Sequence, residues 1–160
     1  MPHVAATKQL DYRWTELFGL VLNLEDYPSF VPHCRAVKII RRSLDTTGRT
    51  VIVSRMSVGV SALQVSYVNR TIGDPVARRI DVQALDGPFR RLAVVWRFEP
   101  LEERRTRVDF AVDYEFDNLV LAAVASGLLD SMFNAIMNSF EQRAKRLLAL
   151  RRRRENSPVC

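Results

Sequence analysis

The sequence predicts an α+β domain in which a curved antiparallel sheet of six or seven strands wraps around one long C-terminal helix. Three observations predict it. Apolar residues alternate with period two from about residue 35 to residue 116. Turn residues punctuate that stretch about every ten residues, which is the spacing of an antiparallel meander. After Phe116 the period changes to 3.6 and stays there for about thirty residues, roughly 45 Å of helix.

Residues 3–10 are short and mixed and form a first strand. Trp14, Leu17, Phe18, Val21 and Leu22 repeat at helical spacing, so residues 13–24 form an amphipathic helix. Pro28 and Pro32 then break the chain, leaving residues 29–31 room for a short turn of helix. These are the two short helices after the first strand. From residue 35 Val37 and Ile39 alternate with Ala36, Lys38 and Ile40. Thr47-Gly48 signals a turn before a strand at residues 50–60, and Ser61-Ala62 is a tight connection to residues 63–72. Gly73-Asp74-Pro75 is a strong turn. Residues 79–86 put Ile80, Val82 and Ala84 on one face before Gly87-Pro88, and residues 92–98 and 107–116 complete the strands. Asp117 or Asn118 can cap the long helix, which runs from near Leu119 to about Leu150. Its stripe is Leu129, Met132, Phe133, Ile136, Met137, Phe140, Ala144, Leu147 and Leu148. Gly127 costs about 1 kcal/mol relative to alanine there and can mark a kink.

The length of 160 residues suits one domain, placed at residues 1–150, with residues 151–160 as a disordered basic tail. The hydrophobic fraction of 48% and charged fraction of 26% are ordinary for a globular protein. Cys34 and Cys160 make no disulfide framework and fit a reducing compartment. The first ten residues lack the apolar core of a signal peptide, and the uncharged residues 119–129 are too few to span a bilayer. A cytoplasmic location follows, at most peripheral to the inner membrane. The net charge of +6 sits at the end of the chain, where Arg143, Lys145, Arg146 and Arg151, Arg152, Arg153 and Arg154 cluster. Such a run can meet RNA phosphates or anionic lipid heads. A solvated helix end, with cations well placed at its C-terminus, accounts for it as well.

Catalytic groupings are thin. The histidines are His3 and His33, and His33 adjoins Cys34, but adjacent residues rarely present a nucleophile and its base in reacting geometry. No spacing suits zinc, and no glycine-rich loop is present to hold a phosphate. Asp109, Asp113 and Glu115 lie opposite the apolar face of their strand and are therefore solvated. Basic residues interleaved with exposed aromatics, as a DNA-binding surface needs, are missing outside the tail. The expectation is a binding module with no catalytic residue, no metal and no cofactor.

The long helix must cover the apolar face of the sheet, and a twisted sheet curls around it without closing perfectly. The gap is the natural place for a ligand cavity. Candidate lining residues are Tyr67, Trp96, Phe98, Phe110 and Tyr114 on the strands, with Val112 beside them. Phe133, Ile136 and Met137 face them from the helix, next to Met132. Plain core packing accounts for the same residues.

Three segments carry a resemblance. Glu25-Asp26-Tyr27-Pro28-Ser29-Phe30-Val31-Pro32-His33-Cys34 resembles the "YPxFxPxC" signature of the coenzyme Q-binding Coq10 family and its bacterial relatives, the ribosome-association toxins RatA. Val58-Gly59-Val60 resembles that family's "VGF", with Val60 in place of the aromatic. Gly87-Pro88-Phe89-Arg90-Arg91-Leu92, followed by Trp96 and Phe98, resembles its "GPFxxL…WxF" segment. The similarity spans about residues 3 to 150. It implies the helix-grip fold of the START-like (Bet v 1-like, SRPBCC) superfamily, which also contains polyketide cyclase/dehydrase proteins. Tyr27, Pro28, Phe30, Pro32, Cys34, Gly87, Pro88 and Phe89 are then family-motif residues with structural roles. The resemblance implies ubiquinone as ligand, carried in support of respiratory electron transfer. The carbonyls of such a ligand need one or two donors, which Tyr67 or Tyr114 can supply. Association with the large ribosomal subunit through the basic tail, inhibiting translation, is the second implication. Cyclase chemistry is a distant third. Peripheral membrane contact is expected for the lipid reading.

Overall fold

A computed structural model describes residues 3–60, 63–119, 122 and 128–156. Along the chain run β1 (His3–Leu10), α1 (Trp14–Leu22), a 3-10 turn (Leu24–Asp26), α2 (Tyr27–Phe30), β2 (Cys34–Leu44), β3 (Thr50–Val60), β4 (Leu63–Asp74), β5 (Arg79–Ala84), β6 (Phe89–Glu102), β7 (Arg105–Phe116) and α3 (Leu128–Asn156). The strands form one antiparallel sheet in the order β1-β7-β6-β5-β4-β3-β2. Sequence neighbours pair throughout, except that β1 lies against β7, with Val4 opposite Val112 and Ala6 opposite Phe110.

Local chemistry explains the joints. At the start of α1 the Glu16 carboxylate accepts the Arg13 backbone N–H at 3.1 Å, and its charge suits a helix N-terminus. Pro28 sits in the first turn of α2, where a missing N–H costs nothing. The Asp45 carboxylate accepts the backbone N–H groups of Thr47 and Arg49, each at 2.9 Å, closing the β2–β3 hairpin. Asp74 does the same for Val76 and Ala77 between β4 and β5. Thr106 donates its hydroxyl to the Tyr12 carbonyl at 2.8 Å and ties the end of β1 to β7.

The core lies between the concave face of the sheet and α3. Ile52, Ile80, Trp96, Phe98, Val108, Phe110, Val112 and Tyr114 are buried from the sheet side. Phe133, Met137, Phe140, Ala144 and Leu148 are buried from the helix, at three- and four-residue intervals. Full burial of one such large side chain stabilises by about 1.5–3 kcal/mol. Lys8 on β1 holds the helix laterally, donating to Asn138 at 2.7 Å and forming an ion pair with Glu141.

The strands fall within a few residues of their expected limits. β6 is longer than residues 92–98, because irregularities in its pairing with β7, between Phe89 and Arg91 and between Pro100 and Glu102, let the ladder continue at both ends. β5 stops at Ala84, since Asp86 leaves the strand to accept the Val68 N–H at 2.6 Å. The helix runs on to Asn156, so residues 151–156 are helical and not part of a disordered tail. Leu119 and Ala122 are helical, with the Ala122 N–H bonded to the Asn118 carbonyl at 3.0 Å, and Leu119 is 88% exposed. Most of residues 119–129, including Gly127, and the Ser61-Ala62 connection lie outside the described residues.

Candidate functional site

A cavity of about 160 Å³ opens between the sheet and the helix. On the sheet side its wall is made by the inward positions of β3 to β7, among them Met56, Val58, Val65, Tyr67, Asn69, Thr71, Val82, Val94, Trp96 and Phe110. On the helix side it is made by Met132, Phe133, Ile136 and Phe140. The segment after α1 supplies Leu24, Tyr27, Val31, Pro32 and Cys34. For scale, a dry apolar cavity of about 150 Å³ in another protein takes up one benzene ring.

Aromatic edges frame the space. Phe133 lies 6.5 Å from Phe110 and 5.7 Å from Tyr114, ring centre to ring centre. Phe140 contacts Trp96, Tyr27 and Phe30 edge to face at 5.0–5.2 Å. Phe89 stacks on Phe116 at 5.0 Å and turns its edge to Tyr67 at 5.3 Å. Gly87, with φ +93°, brings the backbone so close to Tyr67 that a Cβ would lie 2.6 Å from the Tyr67 Cβ. That approach explains why glycine opens the Gly87-Pro88-Phe89 segment.

Two polar side chains, Asn69 and Thr71, stand in the apolar wall, and a third, Ser54, lies beside them in the sheet. Ser54, Asn69 and Thr71 are 0%, 2% and 1% exposed. Ser54 is directly opposite Asn69 in the β3–β4 register, and Thr71 is the next inward position on β4. Ser54 Oγ, Asn69 Oδ1 and Thr71 Oγ1 have no hydrogen-bond partner among the described residues. Such a group costs about 1–3 kcal/mol when left unsatisfied, so three together require a reason.

The ionisable groups at the cavity are neutral. Burial pushes the Cys34 thiol up to about 11 and the Tyr67 phenol up to about 12, the latter despite a hydrogen bond from Asn69 that favours its ionised form. Burial also holds Tyr27 far above the ordinary tyrosine value, and its hydroxyl donates to the Val21 carbonyl. No Asp, Glu, Lys, Arg or His lines the cavity among the described residues. The space therefore suits an uncharged, largely apolar molecule.

Of the eight lining residues expected from the sequence, Tyr67, Trp96, Phe110, Phe133 and Ile136 stand in the wall. Phe98 and Met137 do not. They line a hollow of about 20 Å³ beside α1, because the twist of the sheet carries Phe98 towards Phe18, 5.7 Å away. Tyr114 is buried in the core against Phe133 and Phe116 and is not among the described residues that line either space. Tyr67 is in place, but its hydroxyl faces the Met56 sulfur at 3.7 Å. The motif residues Tyr27, Pro32, Cys34 and Phe89 also line the cavity. Phe30 packs on Phe140 beneath the Arg143 guanidinium, Pro28 shapes α2, and the Pro88 carbonyl accepts the Asp117 N–H at 3.0 Å. His33 is exposed, with φ +67°, while Cys34 is buried, so the two do not make a reacting pair. Asp109, Asp113 and Glu115 bond Thr7, His3 and Arg90 on the outer face. Ser54, Asn69 and Thr71 escape a reading of apolar alternation, though extending the inward face of Tyr67 by steps of two reaches Asn69 and Thr71.

Comparison with known proteins adds identity to geometry. The model of the family described as "Polyketide cyclase / dehydrase and lipid transport" matches residues 10–141. The mitochondrial coenzyme Q-binding protein coq10 of Schizosaccharomyces pombe is 30% identical over 141 residues, covering 88% of this chain and 85% of that protein. The ribosome association toxin RatA of Escherichia coli is 25% identical over 151 residues, covering 94% and 92%. An 18 kDa protein of Caulobacter crescentus, solved in solution, superimposes with a TM-score of 0.74 at 34% identity, covering 93% and 99%. A START superfamily protein of Mycobacterium smegmatis shares the fold with a TM-score of 0.76 at 18% identity, covering 91% and 98%. This chain belongs to the polyketide cyclase/dehydrase and lipid transport family, has the START-type helix-grip fold, and counts coenzyme Q-binding and ribosome-association proteins among its relatives.

Proposed function

We propose that this chain binds ubiquinone, or a similar apolar lipid with a ring at its head, in the cavity beneath α3, and carries it in support of respiratory electron transfer without chemically altering it. The observation that carries the reading is a ring-sized apolar cavity with no charged side chain in its wall among the described residues. A quinone is flat and mostly apolar, and aromatic edges and adaptable methionines such as Met56 and Met132 suit its faces. At about 160 Å³ the space accommodates the ring, and an isoprenoid tail extends beyond it. The relative named for coenzyme Q binding supports the choice of ligand. The high-lying Cys34 thiol and the outward His33 support a binder over an enzyme.

Native mass spectrometry with organic extraction, on protein purified from a quinone-producing host, tests this. The expected result is a released quinone, lost in a folded Phe133→Asp variant. Unchanged retention in that variant overturns the cavity assignment.

A second reading is ribosome association. It is favoured by the helical, basic end of α3, where Arg151, Arg153 and Arg154 are exposed, and by the relatives named as toxins. Ribosome binding that weakens steeply with salt and disappears on truncation after Leu150, in protein that carries no quinone, decides for it.

A further inference from the structure

We propose that the convex face of the sheet, over β2, β3 and β4, binds the sugar-phosphate backbone of double-stranded RNA. This face is the reverse of the one that forms the cavity, so the inference stands apart from what the cavity holds.

Charge is divided unevenly along the sheet. Strands β5, β6 and β7 carry as many carboxylates as cations. There the two signs meet: Arg79 pairs with Asp81, Arg107 with Glu99 and Asp109, and Arg90 with Glu115. Strands β2, β3 and β4 carry Arg35, Lys38, Arg41, Arg42, Arg55 and Arg70, and their one carboxylate is Asp74 at the end of β4. Asp74 is engaged with the N–H groups of the following turn, and Arg42 pairs with Glu25. Among the described residues no carboxylate pairs with Lys38, Arg41 or Arg55. Arg70 donates to the neutral Gln83 at 3.0 Å. The excess of cations is therefore not confined to the end of the chain.

The register gathers four of these cations into one patch. Lys38 stands directly opposite Arg55, and Arg41 stands opposite Val53, which is itself opposite Arg70. All four are exposed, while Ile52, Ser54, Tyr67, Asn69 and Thr71 between them are buried on the other side. The patch is three strands wide, about 10 Å between its outer backbones, and about 7 Å along the strands. Like charges directly opposite destabilise a strand pair, so Lys38 and Arg55 work against the fold and in favour of an anion laid across both.

The shape and chemistry of the patch select the partner. No aromatic side chain of β2, β3 or β4 shares this face among the described residues, so unpaired bases find no stacking platform and recognition rests on the backbone. The major groove of B-DNA, about 12 Å wide, admits a helix or a two-stranded ribbon, and a face three strands wide is too broad for it. The wide, shallow minor groove of A-form RNA lies open to such a face. An anionic membrane on this side would lie across the sheet from the cavity, where it could neither take nor deliver a lipid.

Fluorescence anisotropy of the full chain with a labelled RNA duplex of about twenty base pairs and arbitrary sequence reads this. The expected result is binding that falls with salt, with a log–log slope of about three to four for four phosphate contacts. Lys38→Glu should weaken binding about tenfold and lower the slope by about one. The same change places a carboxylate opposite Arg55 and should raise the melting temperature slightly, so affinity and stability move in opposite directions. A purely structural role for Lys38 would not produce that. Arg70→Gln, on another strand, should weaken binding in the same way, while truncation after Leu150 should leave the loss caused by Lys38→Glu in place. No duplex binding at about 50 mM salt, or unchanged binding in both variants, would overturn the inference. So would equal binding to polyglutamate, a preference for phosphatidylglycerol vesicles over the duplex, or complete loss of binding on truncation.

Discussion

Trp96 meets Phe140 edge to face, with 5.0 Å between ring centres and 69° between planes. These two residues line both the large cavity and the small hollow beside α1. The pair is thus the partition between two spaces, and it pins the middle of α3 to β6. Phe140 also packs on Tyr27 and Phe30, so one ring joins helix, sheet and the segment after α1. Phe140→Ala should destabilise the protein by about 3–5 kcal/mol, since the lost contacts add to the cavity left behind. Urea unfolding checks it: the midpoint should fall while the slope stays unchanged. A loss below about 1 kcal/mol would mean that the helix is held elsewhere.

Gly87 and Gly48 make a matched comparison. Both have positive φ, +93° and +84°, but a Cβ at Gly48 meets nothing within 4 Å. Gly48→Ala should therefore cost only the backbone strain, about 1 kcal/mol. Gly87→Ala adds a collision with Tyr67 and should cost clearly more, with an altered near-ultraviolet tyrosine signal. Equal thermal shifts in the two variants would refute the packing role of Gly87.

Tyr27→Phe removes the hydroxyl that donates to the Val21 carbonyl at the end of α1. The ring can stay against Phe30 and Phe140, so the loss isolates one hydrogen bond. The expected cost is about 1–3 kcal/mol, because the carbonyl is left without its donor. Denaturant unfolding of the variant measures it.

The Lys8 ion pair with Glu141 makes stability depend on pH. The hydrogen bond from Lys8 is the main cause that lowers the Glu141 carboxyl below its ordinary value. A lowered pKa means that the unfolded chain takes up this proton first as acid is added. The contribution is therefore complete above about pH 4.3, the unfolded carboxyl value, and is lost as the pH falls through the lower folded value. Glu141→Gln should cost up to about 1 kcal/mol at pH 7 and progressively less as the pH is lowered below about 4.3. A difference that does not shrink on acidification would remove the pair from the account.

The strands were legible because most of them alternate cleanly. On β7 Val108, Phe110, Val112 and Tyr114 face inward, while Asp109, Asp113 and Glu115 face out. The helix was legible from the stripe through Phe133, Phe140 and Leu148. The division of the interior was not. Phe98 and Met137 sit on the expected faces, but sheet twist and the position of α1 decide which space they line, and neither is local to the sequence. The buried polar side chains of β4 were illegible for a different reason. On β4 Asn69 and Thr71 face inward while the apolar Ile72 lies on the other face, so polarity and direction disagree there. Such conflicts concentrate where a protein binds something.

The pairing of β1 with β7 has a consequence for how the molecule is made. His3 lies opposite Asp113, so the first strand has no neighbour until more than a hundred further residues have left the ribosome. The hairpins from β2 to β7 can assemble in sequence, each from adjacent chain, whereas β1 closes the largest loop in the fold. The Tyr12 carbonyl, bound by Thr106 once β7 exists, marks where that loop is sealed. During synthesis the N-terminal strand stays without a partner for longer than any other strand of the sheet, and capture of the nascent chain by chaperones should centre on it.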